Sequence, residues 1–122
     1  MIDAAAVGVG GFLGAVGRYL VVRIISKIWK KDFPLATFIV NMLGSFALGL
    51  LVAHPYFAYQ LMDGSARVAI GVGFMGSFTT YSTFMYESFM LGRRGKVRLG
   101  IGYVLASIAI GLLLAWSSVY CF

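Results

Sequence analysis

A chain of 122 residues in which 61% are hydrophobic and only 11% charged, with a mean hydropathy of +0.92, excludes an ordinary soluble domain, which carries roughly twice that share of charge. The net charge of +6 would suggest nucleic acid in a soluble protein, but here the basic residues flank apolar stretches, so nucleic acid is excluded as a partner and the lipid bilayer takes its place. The lone cysteine, Cys121, excludes an internal disulfide and a cysteine-based metal cage.

Four apolar stretches, at about residues 4–25, 34–53, 67–91 and 97–120, each reach the roughly 20 residues that cross a hydrocarbon core of about 30 Å. The short connections leave no room for a soluble domain, so residues 1–122 read as a single all-α membrane domain with four transmembrane helices. Residues 1–6 hold Asp3 and no Lys or Arg. A signal peptide would need a basic n-region there, so the first stretch reads as a retained span.

The first span places Gly10, Gly14 and Gly17 along one face, the small-residue spacing that lets helix backbones approach closely. Arg18 lies inside this span, where a guanidinium must snorkel or find an acceptor. Its position near one end favours anchoring over ion binding.

The second span carries Thr37, Asn41, Ser45 and Gly49 four residues apart, a polar stripe on one helix face. The Asn41 amide must be satisfied inside the bundle. It serves either an interhelical hydrogen bond or an anion path, and the span alone leaves the two equal.

The third span, about 25 residues or roughly 37 Å as a continuous helix, is longer than the core is thick. Gly71, Gly73 and Gly76, followed by Thr79 and Thr80, predict a break at mid-membrane, which frees carbonyls that need a buried partner such as a cation. Beyond the break Tyr81, Phe84 and Ser88 share one helical face, and Thr80, Thr83 and Glu87 its neighbour. Glu87, about one turn from the span's end, is expected to pair with a base or reach the interface. The fourth span repeats a small-polar stripe with Tyr103, Ser107 and Gly111. Trp29, Trp116 and Tyr120 fall near span ends, as an interfacial aromatic belt requires.

Arg23, Lys27, Lys30 and Lys31 surround the first connection, and Arg93, Arg94, Lys96 and Arg98 the third. Only Arg67 marks the opposite side, beside the connection that holds His54 and Asp63. The positive-inside rule predicts a multi-pass protein of the cell membrane, its first and third connections cytoplasmic and both termini outside. His54, beside Pro55, reads as a solvated loop residue. No nucleophile and base pair or metal-ligand cluster is visible, which argues against an enzyme.

Three segments, GGFLGAVGRY at Gly10 to Tyr19, FIVNMLGS around Asn41 and GFMGSFTTYSTF at Gly73 to Phe84, together resemble the Fluc (CrcB) fluoride channels of microorganisms over essentially the whole chain. The resemblance implies an antiparallel dimer with two narrow fluoride paths along the subunit interface, passive fluoride export and fluoride resistance, without an organic cofactor. It implies a structural sodium ion at the dimer centre, held by backbone carbonyls that map onto Gly76 and Thr79. The family's pore phenylalanines map onto Tyr81 and Phe84, and Asn41, Thr83, Tyr103 and Ser107 are similar to its hydrogen-bonding track.

Two departures accompany the resemblance. Tyr81 stands where the family usually has phenylalanine. The one-sided basic charge disfavours a chain that inserts both ways, so a related, oppositely inserted subunit is the expected partner rather than a second copy of this chain. The competing readings are a small proton-coupled multidrug exporter, which needs an ionisable carboxylate inside the bundle, and a non-conducting membrane assembly subunit, which leaves the mid-membrane hydroxyls unexplained.

Overall fold

The computed structural model describes residues 2–53 and 69–120. His54, Pro55, Asp63, Arg67 and Cys121, to which the sequence assigns minor or orienting roles, lie outside these residues. Among the described residues the regular structure is helical throughout: α1 (Ile2–Ile28), α2 (Leu35–Ala53), α3 (Ala69–Met75), α4 (Gly76–Phe78), α5 (Ser82–Arg93) and α6 (Val97–Tyr120).

Two of these helices, α1 from Ala4 to Ile28 and α6, are long and apolar enough to cross a membrane, yet only 11% and 17% of their most apolar windows is buried. A core helix of a soluble protein would hide such a surface. Here Phe12, Leu20, Ile24, Leu105, Leu112 and Leu113 stay exposed, as side chains facing lipid do.

Local chemistry sets the helix ends. Pro34 precedes α2, and its carbonyl accepts the first helical bond, from the N–H of Phe38; proline fits this position because its missing N–H has no partner there to lose. α5 stops in a Schellman motif. Lys96 N–H reaches the Leu91 carbonyl, Gly95 N–H reaches that of Gly92, and Gly95 takes the φ of 79° that side chains disfavour. An ion pair between Lys96 and Asp32 brings the 29–34 and 94–96 connections together at one end of the bundle.

Packing follows the small residues. α3 is π-helical, and it and α4 lie against α1 so closely that a Cβ on Gly14 would overlap the Phe74 carbonyl, while one on Gly73 would come within 2.7 Å of the Val7 carbonyl oxygen. Gly17 faces the Phe78 ring, Gly11 faces Ser77, and Gly10 is buried. Across the bundle α2 packs on α6, where Gly49 meets Ser118 and Ala115, and Gly111 meets Ser45 and Met42.

The third apolar stretch is interrupted, at the threonines that follow Gly71, Gly73 and Gly76. Gly71 and Gly73 sit within the π-helical turn and serve packing. The chain leaves the helical path at Thr79, whose ψ of 162° is extended, and resumes at Ser82. Threonines next to a side-chain partner, rather than the glycines, mark the break.

Candidate functional site

Helical geometry would send the Thr80 N–H to the Gly76 carbonyl and the Thr83 N–H to the Thr79 carbonyl. Neither goes there. The Thr80 N–H donates instead to Asn41 Oδ1 at 2.9 Å, and Asn41 Nδ2 donates back to the Thr80 carbonyl at 3.0 Å. The Thr83 N–H turns to Thr80 Oγ1 at 3.3 Å. The half-buried amide of α2 therefore clamps the broken backbone from both sides, and the carbonyls of Gly76 and Thr79 are released from the ladder. Gly76 is exposed, with no atom within 4 Å of where a Cβ would stand.

Around this break lies an open groove of about 650 Å³, walled by Asn41, Ser45, Thr79, Tyr81, Phe84 and Ser107 among others. Only one of the two Asn41 amide hydrogens is used by Thr80. The Ser107 hydroxyl is buried and among the described residues has no hydrogen-bond partner, a rare condition for a polar atom and a costly one, of about 1–3 kcal/mol. Tyr81 stands 74% exposed at the groove, its ring centroid 6.3 Å from that of Phe84. Phe84 in turn meets Tyr103 nearly edge-on at 5.1 Å. Aromatic edges carry partial positive charge, so the groove joins donors and ring edges, and among the described residues its wall has no carboxylate.

The two faces expected beyond the break separate as the helical spacing requires. Tyr81 and Phe84 line the groove, while Thr83 and Glu87 line a second pocket of about 420 Å³ with Arg18 and Thr37. Thr83 is thus brought to Arg18 and not to Ser107. Arg18, expected as an anchor, is half-buried on this inner wall. Tyr103 is fully buried, and its hydroxyl donates to Glu87 Oε1 at 3.3 Å.

Among the described residues Glu87 pairs with no base. It is half-buried at the border of the pocket at the basic end of the bundle, and hydroxyls from Tyr103 and the buried Thr37 lie beside its carboxylate. α5 begins at Ser82, so Glu87 sits in its second turn, where its side chain meets Thr37 of α2 and Tyr103 of α6. The Thr37 to Glu87 contact is the feature that sequence reasoning missed. Its signal was the α2 stripe itself, since Thr37 lies one turn before Asn41 on the same face.

The comparisons extend over almost all of the chain. Residues 5–119 match the family model described as CrcB-like protein, Camphor Resistance (CrcB). A fluoride-specific ion channel FluC 1 of Carboxydothermus hydrogenoformans is 38% identical over 112 residues, 92% of this chain and 86% of that protein. A fluoride-specific ion channel FluC 2 of Moorella thermoacetica is 40% identical, covering 90% and 88%, and one of Bacillus cereus is 38% identical, covering 95% and 93%. The family match over residues 5–119, with relatives 38–40% identical over nine-tenths of the chain, establishes that the chain belongs to the CrcB family.

Proposed function

We propose that this chain is a subunit of a fluoride-selective channel that passively exports fluoride across the cell membrane. The observation that carries the reading is the buried, unpartnered Ser107 hydroxyl in one groove with the unused Asn41 N–H and the Tyr81 and Phe84 rings. Fluoride is small and strongly hydrated, so a path that selects it must replace water with closely placed donors. Charge-assisted hydrogen bonds of this kind are about twice as strong as neutral ones. Apolar ring edges beside them admit a small anion without offering a cation a ligand. An inside-negative potential drives an anion outward by about 2.3 kcal/mol per 100 mV, which needs no coupled reaction and yields fluoride resistance.

The groove is open on one side, and the reading includes an antiparallel dimer in which a second subunit closes it. Carbonyls freed at Gly76 and Thr79 are the donor type a hard cation such as sodium takes, and two are too few for a full shell, so the residues present fit a sodium ion shared with a second subunit. Bound there, sodium would supply positive charge and tie the subunits together. The joined connections at the basic end support a fixed orientation with that end cytoplasmic and favour a related, oppositely inserted partner.

Fluoride efflux from liposomes containing the purified chain alone, followed with a fluoride electrode and compared with chloride efflux, tests both parts. Rapid fluoride-selective release establishes the channel and overturns the obligate-partner arrangement. No release from well-folded protein, unrestored by an oppositely oriented relative, overturns the channel.

Glu87 gives a second reading its one supporting observation, since an interior carboxylate is what a proton-coupled exporter needs. Glu87→Gln keeps an acceptor for the Tyr103 hydroxyl and removes the titrating group. Passive fluoride efflux is expected to stay within about threefold, less than the 1.4 kcal/mol that a tenfold change represents. Proton-coupled export of a cationic drug would be abolished by the same change, and the paired flux assays separate the two.

A further inference from the structure

We infer that the pocket at the basic end of the bundle holds the phosphate of one anionic phospholipid headgroup. This inference rests on the membrane reading of the chain and not on fluoride conduction. The pocket, about 350 Å³, opens between the end of α1, the 29–34 connection and α5.

Lys31 and Arg94 line it from two different connections. Two carboxylates also border it, and neither competes for these cations. Asp32 is engaged by Lys96, and Glu87 accepts from Tyr103 at the inner end. Among the described residues Lys31 and Arg94 have no carboxylate partner; the Lys31 ammonium lies 5.5 Å from the Trp29 ring centroid, a spacing that leaves its remaining donors free. Trp29 is itself held, because its indole N–H donates to the Phe33 carbonyl at 2.7 Å. It forms a fixed wall.

The rest of the lining decides the class of ligand. Trp29, Tyr86 and Met90, with Ile25, Phe33 and Leu35, make much of the wall apolar or amphipathic, which a free inorganic anion does not require. A phospholipid carries a phosphate next to glycerol and acyl chain and matches both halves. The level is also right: the membrane-crossing length of α1 ends at Ile28, and the pocket begins at the residues around it, where headgroups lie. Basic pockets between helices at this depth bind anionic headgroups. Phosphate is the shared chemistry, and inorganic phosphate is its other source.

Native mass spectrometry of the full chain released from nanodiscs of mixed phosphatidylglycerol and phosphatidylcholine tests the site. The expected result is one retained phosphatidylglycerol per subunit, with retention falling by about tenfold in the Lys31→Gln, Arg94→Gln double variant. Lys30→Gln with Arg93→Gln removes the same charge outside the pocket, and this variant is expected to keep the lipid. Lys31→Arg with Arg94→Lys is expected to keep it too, which controls for misfolding. The inference is overturned if the wild-type chain retains no lipid, if both Gln pairs lose it equally, or if millimolar inorganic phosphate displaces it. The lipid count does not depend on fluoride flux, so either reading can fail alone.

Discussion

Replacing Asn41 with alanine is expected to cut fluoride efflux at least tenfold and to destabilise the fold by about 2–4 kcal/mol, since it strands a backbone N–H and a carbonyl of Thr80 at once. Both effects follow from one amide, which holds Thr80 at 2.9 and 3.0 Å while presenting its second N–H to the groove. Asn41→Asp separates them. A carboxylate still accepts the Thr80 N–H, so one side of the clamp survives, but the bond to the Thr80 carbonyl and the groove donor are lost, and a negative charge enters an anion path. Conduction is expected to vanish in Asn41→Asp with a monodisperse protein and a modest fall in thermal stability. Undiminished fluoride efflux from Asn41→Asp liposomes would show that the groove is not the path.

Gly14→Ala is expected to be among the most damaging single changes in α1. The added methyl overlaps the Phe74 backbone carbonyl, and a backbone atom inside a π-helical turn has no rotamer by which to yield, so the helices must separate at a cost of about 3 kcal/mol. Loss of monodisperse protein, or a clear drop in the denaturant midpoint, measures it. Gly102→Ala in α6 meets nothing within 4 Å and is expected to lie within about 0.5 kcal/mol of wild type. Equal behaviour of the two variants would contradict the close approach of α1 and α3.

Periodicity made the local features legible. Pro34 and Gly95 mark helix ends through rules that act within a few residues, and the four-residue stripe on α2 names the face that meets α6. The stripe does not tell which part is packing and which is polar work. In the structure its lower half, Ser45 and Gly49, fits against Gly111, Ala115 and Ser118, while Asn41 and Thr37 meet the break and Glu87. That division depends on which residues of other helices arrive opposite, and a single helix carries no record of them.

The break shows the same limit in sharper form. Gly71, Gly73 and Gly76 look like breakers because glycine weakens a helix, but Gly73 serves the close approach to α1, Gly71 packs against Leu51 of α2, and Gly76 meets no neighbour. The break forms at Thr79 and Thr80 because Asn41, far away in sequence, offers both halves of an amide.

A backbone interruption clamped by a side chain of an earlier helix bears on biogenesis. Taken alone, the segment around Thr80 has nothing to compensate an open turn in lipid, and a continuous helix is its cheapest form on insertion. Asn41 is synthesised first and is already in the bilayer when Thr80 emerges. The open turn is then gained by docking: α2 supplies the hydrogen bonds that the helix gives up, so the third segment acquires its final shape only as the bundle closes around it. Asn41→Ala, which offers Thr80 no hydrogen bond at all, should accordingly accumulate a late intermediate that is fully inserted and helical, yet still lacking the freed carbonyls at Gly76 and Thr79.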